Sequence, residues 1–111
     1  MVLNREELLK TLELKKETVV LDGGDVIVSE VCAADMMDLY TRKDLQNEAG
    51  DITMAKFTPA LIAMAVVDEE GKRIFDDSDI PLLEKAAALQ FSKLAAVARR
   101  LNGLAGDEVK N

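Results

Sequence analysis

The sequence is short of reactive side chains. Among its 111 residues there is no histidine, no tryptophan and one cysteine, Cys32, with two prolines and four aromatic residues, Tyr40, Phe57, Phe75 and Phe91. Without histidine the commonest general base and the commonest metal ligand are missing. Serine and cysteine nucleophiles that depend on an imidazole cannot be assembled. A single cysteine can form no internal disulfide and no cysteine-rich zinc site, which fits a reducing intracellular setting. So few aromatics make a poor platform for stacking bases. The longest apolar run, Ala60 to Val67, has eight residues, less than half a membrane span. Arg5, Glu6 and Glu7 stand where a signal peptide needs an apolar stretch. The expectation is a cytoplasmic protein with no membrane partner.

What is present is apolar bulk and acid. Apolar residues make up 49%, enough for a buried core, and the length fits one domain. The net charge is −7, from 14 basic and 21 acidic residues, a poor balance for neutralising phosphates, so nucleic acid is not an expected partner. The acid is uneven: residues 1–55 carry 6 basic and 12 acidic groups, residues 56–111 carry 8 and 9.

Periodicity predicts an α+β fold, mainly helical, with one N-terminal β-hairpin and three to four helices. Asn4 with Glu7 three residues on makes a capping-box pattern, and Leu8, Leu9 and Leu12 form a narrow stripe in a helix over 4–16. That stripe either docks on the domain's own core, the expected outcome, or presents a helix to a partner. Val19–Leu21 and Val26–Val28 flank Asp22-Gly23-Gly24-Asp25, predicting a hairpin over 18–31. The two glycines lack the Lys-Ser/Thr of a phosphate loop. A helix over 33–46 carries Met36, Met37, Leu39, Tyr40 and Leu45, with Cys32, expected to be half-buried, at its start. The next helix spans 52–67. Its run Ala60–Val67 is apolar on every side and belongs at the centre of the core, with a buried strand as the competing reading.

The acids at Asp68–Glu70 and Asp76–Asp79 invite a calcium reading, but in an EF-hand register counted from Asp76 the required glycine is Pro81 and the last ligand is Ala87. Asp68 to Gly71 is expected to be a turn, and helix capping is the expected role of the acids at Asp76–Asp79. No catalytic, cofactor or metal residue is predicted. Leu83, Ala87, Phe91, Leu94, Ala98 and Leu101 place one continuous face on a long helix over 79–102, closed by Asn102-Gly103. Lys85 to Arg100 holds four cations and no acid. Residues 1–104 then form the domain and 105–111 a flexible tail.

The order of these pieces resembles the phage tail assembly chaperones of long-tailed phages and prophages. A short helix is followed by the Val19–Val28 hairpin, a helix opened by Cys32-Ala33-Ala34-Asp35, the stretch Val67–Phe75, an acidic cap, and a helix closed by Leu101-Asn102-Gly103-Leu104. The resemblance covers residues 4–104. It implies a non-enzymatic factor of the host bacterial cytoplasm, missing from the mature virion. Such a factor binds the tape measure protein and keeps it soluble, recruits tail tube protein through a longer frameshifted form, and self-associates. A small structural tail or connector protein retained in the virion is the alternative. Met is suited to adaptable binding surfaces. Met36, Met37, Tyr40, Phe91, Leu94 and Leu101 are the candidate interaction residues.

Overall fold

The computed structural model describes residues 1–104, so the expected tail at 105–111 lies outside the described residues. The fold is α+β, with an N-terminal hairpin, a third strand and five α-helices, about half helical. In chain order these are α1 (Arg5–Thr11), β1 (Lys16–Leu21), β2 (Gly24–Ser29), α2 (Ala33–Thr41), α3 (Met54–Ala65), β3 (Val66–Val67), α4 (Ile80–Glu84) and α5 (Ala88–Leu101).

The hairpin is antiparallel and two residues earlier than expected, pairing Lys16 with Ser29 and Leu21 with Gly24. Of its turn glycines only Gly24 has positive φ, at 144°. The sheet order is β1-β2-β3, with Ile27 opposite Val67 and Val28 opposite Val66. The run Ala60–Val67 therefore realises both readings of the sequence. It is helical through Ala65, and its two β-branched residues then join the sheet.

Helix α3 is the centre of the core. Phe57 and every residue from Pro59 to Ala65 are buried, as expected of a helix apolar all round. Val19, Val28, Leu39, Leu45, Leu83, Leu94 and Ala98 complete the cluster around it.

Three helix predictions are corrected. The helix predicted over 33–46 ends at Thr41, where Arg42 turns extended and a 3-10 turn, Lys43–Leu45, follows. The turn lets Arg42 grip Asp44 with two hydrogen bonds, at 3.1 and 2.7 Å, and reach Asp77 at 3.3 Å. The helix predicted over 79–102 is two helices, broken at Lys85–Ala87. A straight helix over those residues would run about 36 Å, twice the roughly 18 Å of α3. The break lets α4 pack on α3 while α5 packs on α3, β1 and β2. The helix predicted over 4–16 is only Arg5–Thr11, because Lys16 already belongs to β1 and pairs with Ser29.

The capping expectations hold. Asn4 and Glu7 form a reciprocal capping box, at 2.8 and 3.0 Å. Asp76 and Asp79 form a second one before α4. Asp68 accepts from the backbone N–H groups of Glu70 and Lys72, at 2.8 and 3.0 Å, and shapes the turn after β3. These backbone and hydroxyl donors hold the Asp68 and Asp76 carboxyls below the usual range: for Asp68 chiefly the N–H of Lys72, for Asp76 chiefly the Ser78 side chain. Helix α5 ends on Gly103 at φ 73°, with Leu104 N–H reaching back to Arg99 C=O at 2.7 Å, the glycine-terminated helix end expected from Asn102-Gly103.

Candidate protein-interaction surfaces

The six candidate residues do not form one surface. Leu94 faces the core and is 9% exposed, so it is a packing residue and leaves the candidate set. One helical face cannot serve both α4 and α5 once the chain breaks at Lys85–Ala87. The other five divide among three places.

Phe91 lies in an apolar groove of about 510 Å³. Met54, Ala55, Thr58 and Pro59 from α3 form one wall, Leu83, Glu84 and Ala86 another, and Ala88 and Phe91 from α5 the third. Pro59 has no N–H, so the Ala55 carbonyl on the same wall lacks its helical donor. Arg99 donates to the Met54 sulfur at 2.9 Å and to the Leu104 carbonyl at 3.0 Å, fixing that corner. Met54, Leu82 and Leu89 on the helices bounding this groove are all more than half exposed. None of the three is among the six candidate residues, although Met54 belongs to the methionines that suit an adaptable surface.

Met36 and Leu101 meet in a second groove, about 530 Å³, beneath the link from α1 to β1. Leu12, Leu14, Val31 and Ala33 add apolar lining, and Glu13, Glu30 and Asn102 a polar rim. Asn102 holds this region together. Its amide donates to the Ala98 carbonyl at 2.7 Å and accepts from the Val31 N–H at 2.8 Å. The end of α5 is thereby tied to the start of α2. Arg100 pairs with Glu17 through two contacts, at 2.7 and 2.6 Å, and fixes α5 against β1.

Met37 and Tyr40 stand on the outer face of α2, 66% and 48% exposed. One face of the Tyr40 ring stacks on Phe57, centroids 5.6 Å apart, and leaves the other side open. Met36, Met37 and Tyr40 thus make an apolar ridge beside the second groove. Cys32, expected to be half-buried, is exposed at the start of α2 and makes no capping bond.

The largest departure is α1. It buries no residue. Leu8, Leu9, Leu12 and Leu14 are each close to half exposed or more, and residues 1–14 hold seven of the fourteen exposed large apolar residues found among the described residues. The expectation that its stripe docks on the domain's own core is overturned. The link behind it is pinned, with Lys15 N–H on the Glu30 carboxylate at 2.6 Å and Glu30 N–H on the Lys15 carbonyl at 2.8 Å. The helix forms an arm that buries nothing and borders the body only at its end, where Thr11 and Leu12 line the second groove.

No helix among the described residues is long and apolar enough to cross a membrane. Comparison with models of known protein families, with curated proteins and with solved structures finds no match to this chain.

Proposed function

We propose that the chain is a non-enzymatic tail assembly chaperone, a holder that covers the apolar faces of a long helical protein until that protein is built into a phage tail. The partner is the tape measure protein. Tail tube subunits are recruited through a longer frameshifted form, in the host bacterial cytoplasm, and the holder leaves before the virion matures. The observation that supports this reading best is the ridge of Met36, Met37 and Tyr40 on α2 beside the groove of Met36, Leu12, Leu14 and Leu101. A groove of that lining accepts one apolar face of an amphipathic helix. Methionine beside it repacks to suit different side chains along a long partner. The net charge of −7 keeps a loaded complex apart from its neighbours.

Co-expression with the tape measure protein tests the reading. The partner is expected in the soluble fraction with the natural chain and in the pellet with Met37→Glu, a change at an exposed side chain that leaves the fold intact. Equal partner insolubility with and without the natural chain would overturn the reading. Recovery of this chain in purified virions would favour the structural alternative.

A further inference from the structure

We infer that the second groove selects amphipathic helices whose apolar face is flanked by lysine and arginine, with Glu13 and Glu30 as the residues that choose. The selection rests on the holder reading and gives it the chemistry of the helix held. The groove shows one sign of charge. Its lining is apolar apart from Thr11, Asn102 and the two glutamates, and no lysine or arginine lines it. The two cations that close α5 are turned elsewhere. Arg100 is paired with Glu17 on β1, and Arg99 donates to Met54, in the wall of the first groove, and to the Leu104 carbonyl. Glu13 and Glu30 make no salt bridge among the described residues. The Glu30 carboxylate is also held in place. One of its oxygens takes the Lys15 N–H at 2.6 Å, which leaves the other for a cation from outside.

The surroundings carry the same sign. Residues 5–15 and 30–41, which are the arm, its link and α2, hold six acids against three bases. The arm also lengthens the site. Leu8 stands one turn before Leu12 on the same helical face, and both are exposed, so the apolar wall at Leu12 runs on beyond the groove. A helix lying along that wall sets its apolar stripe on Leu12, Leu14, Met36 and Leu101 and its flanking side chains at the glutamates. Lysine or arginine there brings its charge to a carboxylate while its aliphatic stem covers the apolar rim. Glutamate there meets like charge and gives up water without gaining a partner. An apolar stripe is common to amphipathic helices of every kind, and the sign of the flanking charge is the discrimination that this groove adds.

Fluorescence polarisation of two labelled helical peptides titrated with the full chain tests it. The peptides share one leucine stripe, and their flanks are lysine in one and glutamate in the other. The lysine peptide is expected to bind at least about tenfold more tightly. The preference should shrink in about 1 M salt, where the Debye length is about 3 Å. Glu13→Gln/Glu30→Gln, which keeps an acceptor for the Lys15 N–H, is expected to bring the two peptides to within about threefold of each other. Asp22→Asn/Asp25→Asn removes the same number of charges at the exposed hairpin turn and is expected to leave the preference in place. So is Glu84→Gln, in the first groove. Equal binding of both peptides to the natural chain would overturn the inference and leave the holder reading standing, with a groove blind to charge. A preference lost as fully in the hairpin-turn variant as in the groove variant would also overturn it, since the net charge of the whole chain would then be the cause. Binding of neither peptide would overturn it as well, and the co-expression experiment then decides the holder reading independently.

Discussion

Helices α1 and α3 are both leucine-containing helices with clear starts, and they end in opposite places. Helix α3 buries eight of its twelve residues, and α1 buries none of its seven. The difference lies in how far the apolar residues extend around the helix. Ala60–Ala65 is apolar on all sides and can be satisfied only at the centre of a core. The arm offers a narrow stripe on a helix with charges on either side, and a partner of similar width covers such a stripe. Stability in this protein sits with α3 and the elements around it, and the open apolar surface sits with the arm, α2 and the two grooves.

The comparison can be pressed hardest at the core. Leu61→Ala removes a fully buried side chain of α3 and is expected to cost about 2–5 kcal/mol, read as a large drop in chemical-denaturation midpoint. A smaller loss follows at the join between α5 and α2. Asn102→Ala strips the Val31 N–H of its acceptor and is expected to cost about 1–3 kcal/mol. Acid comes next. Arg42 holds the Asp44 carboxyl low by a forked hydrogen bond, and hydrogen-bond donors hold Asp68 and Asp76 low. A depressed folded value means that the stability these groups contribute is complete above the ordinary carboxylate pKa of about 4, and is lost as pH falls through the lower folded values. Melting temperature should therefore hold from neutral pH to about 5 and decline below about 4, less steeply in Asp68→Asn. An unchanged melting temperature down to pH 3 would contradict this. The smallest effect belongs to the arm: Leu9→Ala should change the stability of the dilute monomer by less than about 0.5 kcal/mol. A loss comparable to that of Leu61→Ala would show that the arm is part of the core after all.

The fold was legible where local chemistry decides it. The hairpin followed from β-branched runs around Asp22–Gly24, the first capping box from Asn4 and Glu7, the cap ahead of α4 from the acids at Asp76–Asp79, and the end of α5 from Asn102-Gly103. It was not legible where tertiary packing overrides propensity. Nothing in Lys85-Ala86-Ala87 breaks a helix, and three good helix formers stand there. The break goes with tertiary packing: α4 packs on α3, while α5 packs on α3, β1 and β2. The candidate surface was half legible for the same reason. Met36 and Leu101 line the second groove, Met37 and Tyr40 stand exposed on α2, and Phe91 lines the first groove. Leu94 cannot be told from them by spacing, since a core leucine and a surface leucine share one stripe. The exposure of the arm depends on what a seven-residue helix fails to touch, which periodicity does not encode.

Amide hydrogen exchange of the chain, alone and in complex with the tape measure protein, bears most directly on the central claim that this fold is a holder of helices. Slow exchange in α3 is expected in both states, with new protection on binding at residues 33–41 and at the end of α5. Binding that leaves α2 and the end of α5 exchanging as fast as in the free chain would contradict it.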